Sequence, residues 1–130
     1  MLDQDHSRSG KLRLRRRKAR MRLHTMDVWV RRAAVLTDLE LIRATLYGGA
    51  EAGGATVLGE EFCVFPNGAV TGVLVLAQSH LSIHTWPELA LANVDLLSYG
   101  EIRGEDVLQS ISERLDAERV HVTCIPRAVG

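Results

Sequence analysis

The chain is predicted to fold as an α+β two-layer sandwich, a mainly antiparallel sheet with two helices on one face. Three observations carry that expectation. Several short segments rich in β-branched residues alternate apolar with polar positions, or run apolar throughout, as half-buried and buried strands do. Two longer segments place apolar residues at helical spacing, Leu39-Ile42-Leu46-Ala50 and Val107-Leu108-Ile111-Leu115. The segments follow one another as β-α-β-β-β-β-α-β, so that two helices can cover one face of the sheet.

The elements follow in order. Residues 1–21 form a basic tail and residues 22–130 the folded domain. Residues 1–22 hold nine Lys/Arg against Asp3 and Asp5, and the remainder seven Arg against fourteen Asp/Glu, so a formal net charge of +0 conceals a basic tail before an acidic body. The tail has little to bury and is expected to be disordered and solvated. Met21 and Met26 also offer starts. Contact with nucleic acid or an anionic surface is the sharper alternative for the tail. No aromatic residue interleaves its basic ones, which weighs against single-strand binding. No apolar run approaches the roughly 18 residues of a membrane span. The apolar core of a secretory signal is also missing, so a cytoplasmic location is expected.

A first strand is predicted over residues 22–30, with Leu23, Val28 and Val30 as its apolar positions. Thr37-Asp38 then opens a helix, one of the two serving as its N-cap. The helix ends near Gly53-Gly54. Residues 55–58 and 61–65 make a second strand with a bulge near Gly59, and Pro66-Asn67-Gly68 is a turn. Further strands are predicted over 70–77, 82–86 (closed by Pro87) and 92–97, the last running into Ser98-Tyr99-Gly100. A second helix spans 104–115, and a final alternating strand spans 119–125, ended by Pro126. Cys63 and Cys124 are too few and too far apart for a disulfide scaffold or a zinc site, and are read as buried apolar positions.

The informative stretch is residues 78–88, Gln-Ser-His-Leu-Ser-Ile-His-Thr-Trp-Pro-Glu. Polar and ionisable groups there follow directly on an apolar strand, so they are either paired inside the fold or form a site. If the chain folds back after Ser79, His84 can return within reach of the Ser79 backbone, pairing a nucleophile with a base. No G-x-S-x-G elbow surrounds Ser79 and no obvious Asp orients His84, which argues against a hydrolase. His80 and His84 would share one strand face roughly 13 Å apart. With no third ligand in a recognisable motif, no metal site is expected. A third chemistry is open to Ser79: its hydroxyl attacks the Gln78 carbonyl, and the peptide shifts to an ester. β-Elimination then leaves dehydroalanine, which hydrolyses to an N-terminal pyruvoyl group. That ketone, as a Schiff base, is an electron sink for decarboxylation.

Residues 79–88 resemble the processing-site signature of the bacterial and archaeal S-adenosylmethionine decarboxylase family. Phe62 to Gly72 is similar to the family's strand and turn before the cleavage site, Asn93 to Gly100 to its next strand, and Arg119-Val120-His121-Val122 to its last. The likeness covers residues 22–127. It implies a pyruvoyl-dependent decarboxylase of polyamine biosynthesis, self-cleaved between Gln78 and Ser79, with Ser79 becoming the covalent pyruvoyl group. It also implies a homodimer of processed protomers with sites near the subunit interface, and a small substrate of amino-acid type. His84 stands at the position of the base that assists processing. Thr71 stands where the family usually has a serine that supports the processing intermediate. Glu88 matches a glutamate that contacts the substrate ribose, and Phe65 an aromatic that stacks on adenine.

Two residues depart from the family's pattern. Gln78 replaces the usual glutamate and removes a charge from the new C-terminus. Tyr99 replaces a cysteine that acts as a general acid. A phenol titrates near 10 rather than about 8.5, and its bulk would crowd the pocket. S-adenosylmethionine is the substrate the family implies, arginine or ornithine the alternative. A further alternative is an uncleaved, non-catalytic relative that serves as a regulatory or dimer partner. Taken alone, His80, Trp86 and His121 read as structural residues.

Overall fold

The computed structural model describes residues 21–127; the basic tail, apart from Met21, lies outside them. Six strands form one antiparallel sheet in the order β2-β3-β4-β5-β1-β6: β1 (Arg22–Val30), β2 (Val57–Val64), β3 (Val70–Leu76), β4 (Ser79–Trp86), β5 (Leu91–Ser98) and β6 (Ala117–Pro126). Helices α1 (Leu39–Ala52) and α2 (Gly104–Arg114) pack together and cover one face. The two-layer sandwich and its element order stand as expected. Ala33–Thr37 adds a short 3-10 turn, and Pro87–Leu89 a second one that turns the chain from β4 into β5.

The local reasons are visible in the residues. Asp38 is the N-cap of α1, its carboxylate accepting from the Leu41 amide at 3.1 Å. The β2–β3 register shifts between Val57 and Gly59, the bulge expected near Gly59. In the Pro66-Asn67-Gly68 turn the Ala69 amide donates to the Asn67 side chain at 3.0 Å, and Gly68 takes φ +89°, a value that favours glycine. Close helix packing needs Gly49, where a Cβ would stand 2.8 Å from Ile111 Cγ1.

Strand alternation sorts the side chains onto two faces. Toward the helices point Met26, Val28, Leu74, Leu81, Ile83 and Leu96, all at most 2% exposed. On β1 the buried alternation is His24, Met26, Val28, Val30, so Leu23, one of the strand's expected apolar positions, points to the opposite face. Cys63 and Cys124 are exposed, not buried. Both lie on edge strands, where most residues of either face stay open to solvent.

The face away from the helices carries transverse rows of paired residues. One row runs through all six strands as Cys63, Thr71, His84, Asn93, Asp27 and His121. A second, from Val75 through His80, Leu97 and Leu23 to Ile125, is largely apolar.

One buried polar side chain ties the sheet to the 3-10 turn. The Thr85 hydroxyl, fully buried, accepts from the Val70 amide at 2.8 Å and donates to the Leu36 carbonyl at 2.9 Å. Thr85→Val keeps the shape but leaves a buried amide and a buried carbonyl unpaired. It is expected to lower stability by about 1–3 kcal/mol, read from urea denaturation.

Candidate active site

The connection from β3 to β4 is two residues long, because Leu76 pairs with Ser79 and only Ala77 and Gln78 lie between. Gln78 has φ +61°, in the left-handed region. Glycine or asparagine tolerates that conformation; for other L-residues it costs about 1–2 kcal/mol. Local strain therefore sits on the residue whose carbonyl precedes Ser79. Ser79, half-buried, opens β4 and donates its hydroxyl to the Leu97 carbonyl of β5. Two residues beyond Leu97 comes half-buried Tyr99, whose carbonyl accepts from the Ile102 amide at 3.4 Å. Gln78, Ser79 and Tyr99 thus gather at one end of the sheet.

The other sequence-predicted residues gather at the opposite end. His84 Nδ1 and Thr71 Oγ1 share a hydrogen bond of 2.6 Å across the β3–β4 ladder. The His84 ring meets the edge of Trp86 at 4.4 Å between centroids and lies 6.0 Å from Phe65. Trp86 Nε1 donates to Asn93 Oδ1 at 2.6 Å, and Asn93 Nδ2 donates to Asp27 Oδ1 at 2.8 Å. Glu88, exposed, follows in the 3-10 turn. The imidazole is held on one side by a hydroxyl and on the other by an indole that is itself anchored.

The two groups do not meet within the chain. β4 does not fold back after Ser79; it runs extended from Ser79 to Trp86, paired on both sides. Five residues of strand separate Ser79 from His84 by roughly 16 Å, and an odd spacing puts them on opposite faces. Ser79 shares the parity of Leu81 and Ile83, which face the helices, whereas His84 faces away from them. His80 stands exposed beside Leu97 and enters neither group. His121, also exposed, lies 3.9 Å from Asp27. Among the described residues no group of three or more His, Cys, Asp and Glu could hold a metal ion, and no helix is long and apolar enough to cross a membrane.

Sequence reading missed Asn93, Asp27, His24 and Ser98 as parts of these ends. A signal existed for His24, a ring with two polar nitrogens on the buried parity of β1. Asn93 and Asp27 gave none, since polar residues on an outward strand face are ordinary.

The chain has clear relatives. The S-adenosylmethionine decarboxylase family model matches residues 22–128. An S-adenosylmethionine decarboxylase proenzyme of Methanococcus maripaludis is 36% identical over 105 residues, covering 80% of this chain and 86% of that protein. A protein of the same description from Pseudomonas paraeruginosa is 34% identical over 94 residues, 72% of this chain and 59% of its own longer length. The crystal structure of the adenosylmethionine decarboxylase from Aquifex aeolicus superposes with a TM-score of 0.79 at 28% identity, covering 87% of this chain and 94% of that one.

Asn93→Leu removes the hydrogen bond that anchors the indole, together with the one that ties Asn93 to Asp27. It is expected to make Trp86 fluorescence more accessible to acrylamide while the fold is kept, with Trp86→Phe identifying the Trp86 share of the signal.

Proposed function

This chain belongs to the S-adenosylmethionine decarboxylase family, and from that premise we propose that it cleaves itself at Gln78–Ser79 and decarboxylates S-adenosylmethionine in polyamine biosynthesis. The observation that carries the proposal is the position of the bond: a left-handed Gln78 presents its carbonyl directly before a half-buried serine hydroxyl. Strain in the peptide offsets part of the cost of exchanging an amide for an ester. The residues fit a pyruvoyl group at position 79, since Ser79 begins a strand whose ladder with β3 holds the downstream segment in place after the bond is cut. When formed, that group supplies an electrophilic carbonyl that takes the substrate amine and draws electrons as CO₂ leaves.

Thr71 and His84 cannot serve Ser79 of their own chain, so they serve it from a second copy. The face away from the helices is where that copy docks. A two-fold axis between two stacked sheets and across their strands sets the Ser79 end of one protomer over the His84 end of its partner. The apolar row supports such contact, with Val75 50% and Ile125 43% exposed in the single chain. In the resulting site Ser79 and Tyr99 come from one protomer, and Phe65, Thr71, His84 and Glu88 from the other. His84 removes the proton in the elimination step and Thr71 fixes its ring. Phe65 and Glu88 hold the adenosyl portion, and Tyr99 returns a proton to the substrate carbon. The bulk of Tyr99 favours arginine or ornithine as the competing substrate, which makes these the amino acids to assay beside S-adenosylmethionine.

Mass spectrometry of the purified protein should show two fragments parted after Gln78, the second blocked by pyruvoyl; an intact wild-type chain would refute the reading. Ser79→Ala should remain whole. Gln78→Gly should slow cleavage about fivefold, the effect of relieving roughly 1 kcal/mol of turn strain. The shared site has its own test. A His84→Ala chain should cleave about 10²-fold more slowly alone. It should recover when coexpressed with Ser79→Ala, whose intact His84 is supplied across the interface.

A further inference from the structure

The end of the sheet that carries Ser79 holds a second, buried polar pair. His24 on β1 and Ser98 on β5 are 4% and 5% exposed, and His24 Nε2 lies 2.9 Å from Ser98 Oγ. Both face the helices, as Ser79 does. The β4–β5 register pairs Leu81 with Leu96 and His80 with Leu97, and Ser79 and Ser98 are the next residues on the two strands. The Ser79 hydroxyl already reaches that strand, at the carbonyl of Leu97.

The imidazole occupies a position that Met26, Val28 and Val30 fill with apolar side chains further along the same strand. The fold makes room for it. Helix α2 begins at Gly104, where a Cβ would stand 2.3 Å from His24 Nε2, so any larger residue would displace the ring. A cavity of about 480 Å³ opens on the pair, lined also by Arg22, Arg103, Glu105 and Asp106.

We propose that His24, acting through the Ser98 hydroxyl, receives the proton that Ser79 gives up in the first step of self-cleavage. The inference rests on the self-processing reading above and assigns that step to the chain's own residues, leaving the later elimination to His84 of the second copy. As Ser79 Oγ bonds to the Gln78 carbonyl carbon, its proton passes to Ser98 Oγ and the Ser98 proton passes to His24 Nε2. The Gln78 carbonyl oxygen takes the negative charge. When the bond from that carbon to the Ser79 nitrogen breaks, the carbonyl re-forms and the proton returns through Ser98 to the departing nitrogen. The product is an ester and a free amine, with His24 neutral again and no outside reactant consumed.

The step needs His24 uncharged. Burial holds its pKa below the usual value, the Glu105 carboxylate opposes that shift and the Arg22 guanidinium adds to it. Of the other charged groups at the cavity, Arg103, just before α2, pairs with Asp106 of that helix at 2.9 Å. His24 is therefore a neutral acceptor at pH 7, and its role as one is lost as pH falls through its lowered pKa.

His24→Gln separates a proton relay from a structural pin, because the amide keeps an acceptor for Ser98 yet takes up no proton. At pH 8 the variant is expected to cleave about 10²-fold more slowly than wild type. The ratio should shrink toward one as pH falls through the His24 midpoint, read by NMR on a Ser79→Ala chain. Hydroxylamine, which cuts esters, should trap little ester in His24→Gln but abundant ester in His84→Ala. A wild-type rate in His24→Gln, or a ratio that does not change with pH, overturns the proposal. If that variant does not fold, Ser98→Ala decides: slowed cleavage without ester supports the relay, and a wild-type rate ends it. A wild-type chain that never cleaves would instead remove the self-processing reading on which the relay stands.

Discussion

Side-chain alternation along β4 is the constraint on which the organisation of the site depends. Eight extended residues, hydrogen-bonded to β3 on one side and β5 on the other, leave no freedom to bring the first residue back to the sixth. An odd spacing between Ser79 and His84 then sends one toward the helices and the other away. Helices on a single face make the two sides unequal: one is a closed apolar core, the other a surface of half-buried and exposed groups. The side chains of Ser79 and His84 therefore do not meet within one molecule.

The open face is prepared for being covered. Burying polar groups is costly when they lose water without gaining partners, and cheaper when they are already paired. Across this face Asp27, Asn93 and Trp86 satisfy one another in a chain, as do Thr71 and His84. The same pairing fixes the orientation of the imidazole before anything docks against it. The helix-facing side contributes differently, with a buried hydroxyl and imidazole beside a cavity lined by charged side chains. Each side thus holds an imidazole, in two different environments.

Much of the fold was legible because periodicity is a local property. The helix from Leu39 ends near its glycine pair, the bulge sits at Gly59, and every strand falls within a few residues of its expected place. Where reading failed, the missing information was tertiary. Cys63 and Cys124 look like core residues until the strand order puts β2 and β6 at the edges. Leu23 and Val28 are both apolar positions of β1 but differ in parity, and only the helices decide which parity is inside. For the site, the motif singled out candidate residues but not how they are arranged. His84 and Thr71 stand together, as their likeness to one functional unit implies. Ser79 stands apart from them, which sequence spacing could not reveal without knowing that β4 is straight. Asn93, Asp27 and the His24–Ser98 pair became visible only through contacts between strands distant in sequence.

The two-residue turn before Ser79 has a bearing on direction. A strained connection, once severed, lets Ala77 and Gln78 relax into solvent, where both are exposed. If residue 79 exchanges its amine for a ketone, as proposed, no amine is left to rejoin the Gln78 carboxylate, so scission there would work as a ratchet. The six cross-strand pairs from Leu76–Ser79 to Thr71–His84 are untouched by the cut. The pieces would therefore stay clasped as one body, with commitment recorded in the covalent chain and its shape unchanged.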